Sequence, residues 1–237
     1  MKKILIILTI FFLCQNLPAQ IFTKEKIPNI ENFDQQLLTW GFYLGLNNYD
    51  FKFTYDKKVK DILVNKNVGF SVGLVSDLRV NNFVNLRFEP GLFISQRDLI
   101  YDPSYFDGME YNDNDLIREV KSTYIHFPLL LKVSTKRLNN FKPFILGGFS
   151  TALNLSSNQE NPDDNSVGQF RTKKSVNFYE LGIGIDFYLY WFKFTPSLRG
   201  IFAINDEVIR DKDANSPWTG DIATMKTRGV FLNFTFQ

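Results

Sequence analysis

Residues 84–95 alternate without a break: Val84, Leu86, Phe88, Pro90, Leu92 and Ile94 fall on one face, and Asn85, Arg87, Glu89, Gly91, Phe93 and Ser95 on the other. Period two belongs to the β-strand, because successive side chains leave a pleated backbone on opposite sides. What constrains the fold is the contrast between the faces: one is almost purely apolar, and the other carries charge and glycine. About eight such runs can be drawn between Trp40 and Phe236, the pattern of strands that cross a membrane with one face to lipid.

The other runs repeat this contrast. Trp40, Phe42, Leu44 and Leu46 alternate with Gly41, Tyr43, Gly45 and Asn47, and Val68, Phe70, Val72 and Leu74 with Gly69, Ser71 and Gly73. Ile125, Phe127, Leu129, Leu131 and Val133 oppose Tyr124, His126, Pro128, Leu130 and Lys132. A fifth run covers 141–155. In the sixth Leu181, Ile183, Ile185 and Phe187 oppose Glu180, Gly182, Gly184 and Asp186; in the seventh Phe192, Phe194, Pro196 and Leu198 oppose Lys193, Thr195, Ser197 and Arg199. Val230, Leu232, Phe234 and Phe236 form the apolar side of the last.

Connections alternate in length. Residues 79–83, 135–140 and 190–191 are short, and 50–66, 98–118, 156–174 and 205–226 are long. Tight turns on one side and extended loops on the other are expected of an up-and-down barrel, and an even strand number puts both termini at the tight-turn side. The expected fold is therefore all-β: an eight-stranded, antiparallel, transmembrane up-and-down β-barrel, in the cell outer membrane with both termini periplasmic. A soluble barrel of lipocalin type would also alternate, but with its polar face outward.

The first residues agree with export. Lys2 and Lys3, an apolar stretch 4–13 and Pro18-Ala19 read as a signal peptide over 1–19. Residues 20–39 follow as a periplasmic extension and 40–237 as the barrel. The apolar stretch is only half of the roughly 20 residues a spanning helix needs, and no later one reaches that length. A chain without such helices crosses a bilayer only as a closed barrel. Cys14, the single cysteine, leaves with the signal, so disulfide frameworks and zinc–cysteine sites are excluded. Setting aside Lys2 and Lys3, basic and acidic residues balance at 25 each. Neutral balance argues against a nucleic-acid partner.

Chemistry is sparse. His126 is the one histidine. It stands on the mixed face, where a hydrogen-bonded structural group is the simpler reading than a catalytic base, and no serine is marked as its nucleophile. No catalytic, metal or cofactor residues are expected. An eight-strand interior has room only for side chains, and charges there must be paired or hydrated. Arg87, Glu89, His126, Lys132, Glu180, Asp186, Lys193 and Arg199 are the expected polar network of the lumen, with Asp186 pairing Lys193 across the tight turn. Two segments are candidate partner contacts. The acidic loop 98–119 interleaves Tyr101, Tyr105, Phe106 and Tyr111 with its carboxylates, a composition used by interfaces. In the extension, Ile27, Ile30, Phe33 and Leu37 have the spacing of one side of a short helix.

Longer motifs carry a resemblance. Asn32-Phe33-Asp34 ahead of Trp40-Gly41-Phe42-Tyr43-Leu44-Gly45, then Tyr124-Ile125-His126-Phe127-Pro128-Leu129, Lys142-Pro143-Phe144-Ile145 and Glu180-Leu181-Gly182-Ile183-Gly184 resemble the PorT family of Bacteroidota outer-membrane barrels. The likeness runs over essentially the whole mature chain. It implies a small non-enzymatic barrel needed for protein transport by the type IX secretion system, with outer-membrane lipid and secretion components as partners. An adhesin or structural barrel is the alternative, and a lipid-modifying barrel enzyme a more distant one.

Overall fold

The computed structural model describes residues 28–161 and 170–237; the signal peptide expected over 1–19 and the candidate contact Ile27 lie outside them. Ten β-segments form one sheet: β1 (Leu38–Tyr55), β2 (Leu63–Lys66), β3 (Val68–Arg79), β4 (Val84–Phe88), β5 (Gly91–Ile100), β6 (Ile117–Ser134), β7 (Phe141–Asn154), β8 (Ser175–Tyr188), β9 (Lys193–Ala203) and β10 (Ile222–Phe236). Every pairing between them is antiparallel. Pairing of β1 with both β10 and β3 closes the sheet on itself.

The ten segments make eight passes. Pro90 has no N–H to offer the ladder, so β4 and β5 are divided there, yet both pair with β6 and β3 in one register. Between β2 and β3 the register against β5 slips by one residue at Asn67, from Lys66↔Arg97 to Phe70↔Ile94. That is a bulge within one pass. Short turns at 80–83, 135–140 and 189–192 share one end with Leu38 and Phe236; the connections that follow Tyr55, Ile100, Asn154 and Ala203 leave from the other, the loop end.

Outward residues on the terminal two-thirds of the wall are apolar. Ile145 and Ile183 are each 60% exposed, as are comparable fractions of Trp40, Leu74 and Leu181. Water would not tolerate so continuous an apolar belt, and lipid requires it. Inward, the wall carries Arg, Asp, Glu and Lys that are almost completely buried.

The strands run further into the connections than alternation of apolar residues suggested. β1 reaches Tyr55, β6 starts at Ile117 and β10 at Ile222. There the outward positions become polar, as in Asn48, Asp50 and Lys52 on β1, while Tyr49 and Phe51 point in. The periodicity persists but its polarity reverses, so a search for lipid-facing runs stops early. Of the short helix expected in the extension, the described residues show only a three-residue 3₁₀ turn, Phe33–Gln35.

Candidate functional site

The lumen is filled in layers. Toward the terminal end, Arg87 on β4 donates to Asp77 on β3 through Nε (2.6 Å) and Nη2 (2.7 Å), and through Nη1 to Glu89 (3.1 Å). Arg199 on β9 bridges Glu89 and Glu180, the latter at 3.0 Å. Lys132 meets Asp186 at 2.6 Å, and Thr195 donates to the other oxygen of Asp186 at 2.7 Å. The fork of each arginine thus ties two carboxylates, geometry that a point-charged lysine could not supply. Pairing is required here, because an isolated ion in so narrow a lumen has too little water to solvate it.

Seven of the eight expected lumen residues join this layer. The pairing of Asp186 with Lys193 does not occur: Asp186 takes Lys132, and Lys193 lies 3.8 Å from Asp77. Cross-strand reach decided this, since Lys132 reaches Asp186 from β6, two strands away across β7, whereas adjacency in sequence only brings Lys193 to the same rim. Asp77, the hub for Arg87 and Lys193, was not singled out by the sequence. Continuing the inward series Gly69, Ser71, Gly73 by two steps would have reached it.

His126 belongs to the layer above. Its Nε2 is hydrogen-bonded to Tyr49 Oη at 3.0 Å, and its ring lies 4.5 Å from Phe93 and 5.3 Å from Phe178 between ring centroids. It touches no member of the ion-pair layer through a hydrogen bond, and its polar contact is a tyrosine rather than a serine. Glycine makes the aromatic packing possible. Tyr43 lies across Gly73, where a β-carbon would sit 2.6 Å from the ring, and Phe144 similarly covers Gly184.

Arg97 closes the next level. It donates to Ser122 (2.7 Å), Thr227 (3.1 Å) and Tyr124 (3.2 Å), with its guanidinium 3.7 Å from the centre of the Phe51 ring. Above it Phe51, Ile62, Leu99, Tyr101, Phe106, Val120, Ile222 and Met225 form an apolar core. The loops are knitted over that core: Tyr101 Oη donates to the Trp218 carbonyl (3.0 Å), Trp218 Nε1 to the Asp115 carbonyl (3.1 Å), and Lys60 to Asp102 (2.8 Å).

This corrects the expectation of an exposed aromatic loop. Tyr101 and Phe106 are only 2% and 3% exposed and build the cap, and Tyr105 stacks edge-on against Tyr101; Tyr111, packed on Phe106, is the exposed member. Burial also moves two loop groups. Glu207 accepts from the backbone N–H and hydroxyl of Thr227, and its burial raises its carboxyl to about 6. Burial likewise pushes the Tyr101 phenol well above its ordinary value.

The terminal mouth is covered by the chain's own extension. Asn29 hydrogen-bonds Asn140 and the Tyr188 carbonyl, Arg137 reaches the carbonyls of Asn29 and Ile30, and Tyr188 Oη donates to Asp34 at 2.6 Å. Phe33 is edge-on to Tyr188, with the Lys193 ammonium 4.6 Å above its ring. Phe33 is therefore committed to its own barrel, Ile30 is half-buried beside it, and Leu37 is exposed at the rim. Ile30, Phe33 and Leu37 do not form one helical face, because a three-residue turn cannot align them.

A family model described as "Outer membrane protein beta-barrel domain" matches residues 19–208. Among solved structures, the outer membrane protein OprG from Pseudomonas aeruginosa is 13% identical with a TM-score of 0.46, over 84% of this chain and 93% of that one. AlkL, an outer membrane protein determined in DMPC bilayers, is 13% identical with a TM-score of 0.43, over 94% and 93%. Ail, the attachment invasion locus protein of Yersinia pestis solved with the heparin analogue sucrose octasulfate, is 13% identical with a TM-score of 0.38, over 83% and 96%. Likenesses this distant do not bear on function. No curated protein matches the chain significantly. The family match covers most of the chain and agrees with a closed antiparallel wall whose apolar face points outward: the protein belongs to the outer-membrane β-barrel domain family.

Proposed function

We propose that the protein is a closed, non-enzymatic outer-membrane barrel that acts through its two mouths, as an accessory of the type IX protein secretion system. Its short turns and both termini face the periplasm in this reading. The observation that carries it is the filled lumen: extension, ion-pair layer, aromatic layer and apolar cap succeed one another along the axis. A barrel so packed offers no route to a solute, so its work falls to its surfaces. The resemblance of Asn32-Phe33-Asp34 and the strand motifs to the PorT family supplies the secretion context. His126, enclosed by aromatic rings and bonded to Tyr49, supports a structural role over that of a catalytic base.

The test is deletion in the native cell. Type IX cargo is expected to accumulate in the periplasm with its C-terminal signal uncleaved, while total outer-membrane protein stays normal, and planar-bilayer recordings of the purified barrel should show no steady porin-sized conductance. Normal cargo release would remove the secretion role. The cap, a folded surface rather than loose loops, favours adhesion as the second reading, and binding of cells or matrix lost on deletion would then identify it.

A further inference from the structure

On the outer wall two clefts lie one above the other. The upper, about 590 Å³, is bordered by Lys52 on β1, Lys226 and Arg228 on β10, and Tyr179, Phe202 and Ile204 beside the end of β9. It exists because the pairing of β9 with β10 stops at Phe202 opposite Arg228, while β10 continues along β1 past Lys226. The lower, about 440 Å³, is apolar and opens between Leu181, Leu198, Gly200 and Val230. Gly147, Leu181, Gly200 and Val230 are register partners across β7, β8, β9 and β10; Leu181 leans over Gly147, and Gly200 opens the notch in that row. Arg228, Phe202 and Tyr179 are likewise partners in register, two residues above Val230, Gly200 and Leu181 on the same strands. The clefts are therefore two levels of one surface, the basic one where the outward face turns polar and the apolar one within the lipid belt.

The charges are arranged for an anion. Lys52 and Lys226 stand directly opposite each other, a like-charge pair that a sheet disfavours. Among the described residues neither has a carboxylate within ion-pair distance. Asp50 in the row below is already held by Arg228 at 2.8 Å and Lys66 at 3.4 Å. Tyr179 and Phe202 stack with ring centroids 5.0 Å apart at the same level, where aromatic rings meet headgroups.

We propose that this surface binds a lipid with an exposed phosphate: the headgroup lies between Lys52 and Lys226, and one acyl chain follows the notch at Gly200. Phosphate relieves the repulsion of the two ammonium groups with charge-assisted hydrogen bonds. The level of the cations, directly above an apolar groove, favours a lipid over a free ion.

The folded barrel in dodecyl maltoside, titrated by native mass spectrometry, tests this. Dioleoyl phosphatidic acid should bind roughly tenfold more tightly than dioleoylglycerol. The double variant Lys52→Gln/Lys226→Gln should remove most of that difference, and Gly200→Leu should weaken phosphatidic acid by roughly threefold by filling the notch. A β-carbon there meets the edge of the Phe202 ring at 3.3 Å and the Leu181 carbonyl oxygen at 3.9 Å, with no backbone closer, so the wall should fold. Should the double variant fail the heat-modifiable mobility check, Lys226→Gln alone is read in the same way, with roughly a threefold loss expected. Equal binding of the two lipids, or unchanged binding in the lysine variants, overturns the proposal. So does full competition by millimolar inorganic phosphate with no effect of Gly200→Leu, which would mark an anion site without an acyl chain.

Discussion

Along β1 the outward side chains are Trp40, Phe42, Leu44 and Leu46 in the terminal half and Asn48, Asp50, Lys52 and Thr54 in the loop-end half. Inward, the terminal half of the lumen holds Arg87, Asp77, Glu89, Arg199 and Glu180, and the loop-end half Phe51, Leu99, Phe106 and Met225. One continuous wall is thus inside-out below and ordinary above. The comparison shows that strand geometry sets only which residues share a face; the medium sets which face is greasy. In lipid the apolar face turns outward and polar groups satisfy one another within. In water the same alternation buries its apolar face, and the loop end closes over a core like that of a soluble domain. The switch near Asn48 marks where the wall leaves the hydrocarbon.

The largest expected effect comes from the charged half. Arg87→Ala leaves Asp77 and Glu89 buried without their shared cation, and should cost about 3–5 kcal/mol of unfolding free energy. Urea titration of the barrel in lipid vesicles measures it; a loss under about 1 kcal/mol would mean that water solvates the layer and that the two halves differ less than their residues suggest. Next is the outer wall. Ile183→Arg should destabilise the inserted barrel by about 2–4 kcal/mol near the midplane. Lys121→Ala, outward on β6 above the belt, should stay within about 0.5 kcal/mol, because its pair with Glu119 is solvent-exposed. Similar costs at both sites would erase the boundary.

A further effect is pH-dependent and confined to the cap. Glu207 titrates near 6 in the folded protein, above its ordinary 4.5, so the folded state holds the proton more tightly. Its contribution is fully favourable below pH 4.5 and is lost as pH rises through 6, on the order of 2 kcal/mol. Hydrogen exchange of β10 residues near Thr227 should accelerate over that interval, and Glu207→Gln should flatten the profile. An unchanged profile in that variant would place the titrating group elsewhere.

Alternation alone was enough to reveal a closed antiparallel barrel of eight passes, its lipid face and the inward charges, because a side chain's face on a strand is a local property of the pleat. Position within the chain also sufficed to show that Arg87, Glu89, Glu180 and Arg199 share the interior. Which acid meets which base is only partly local. Asp77 is the register partner of Arg87 across the β3–β4 turn, whereas Lys193 came near Asp77 from β9, and Asp186 passed over its near neighbour for Lys132 two strands away, only once the wall curved and closed. The same closure buried Tyr101 and Phe106 beneath Trp218 and turned Phe33 inward onto Tyr188, where composition suggested free surfaces. Sequence determined the faces and the number of passes; the radius of the closed wall decided the contacts, because only there do residues far apart in the chain compete for one small volume.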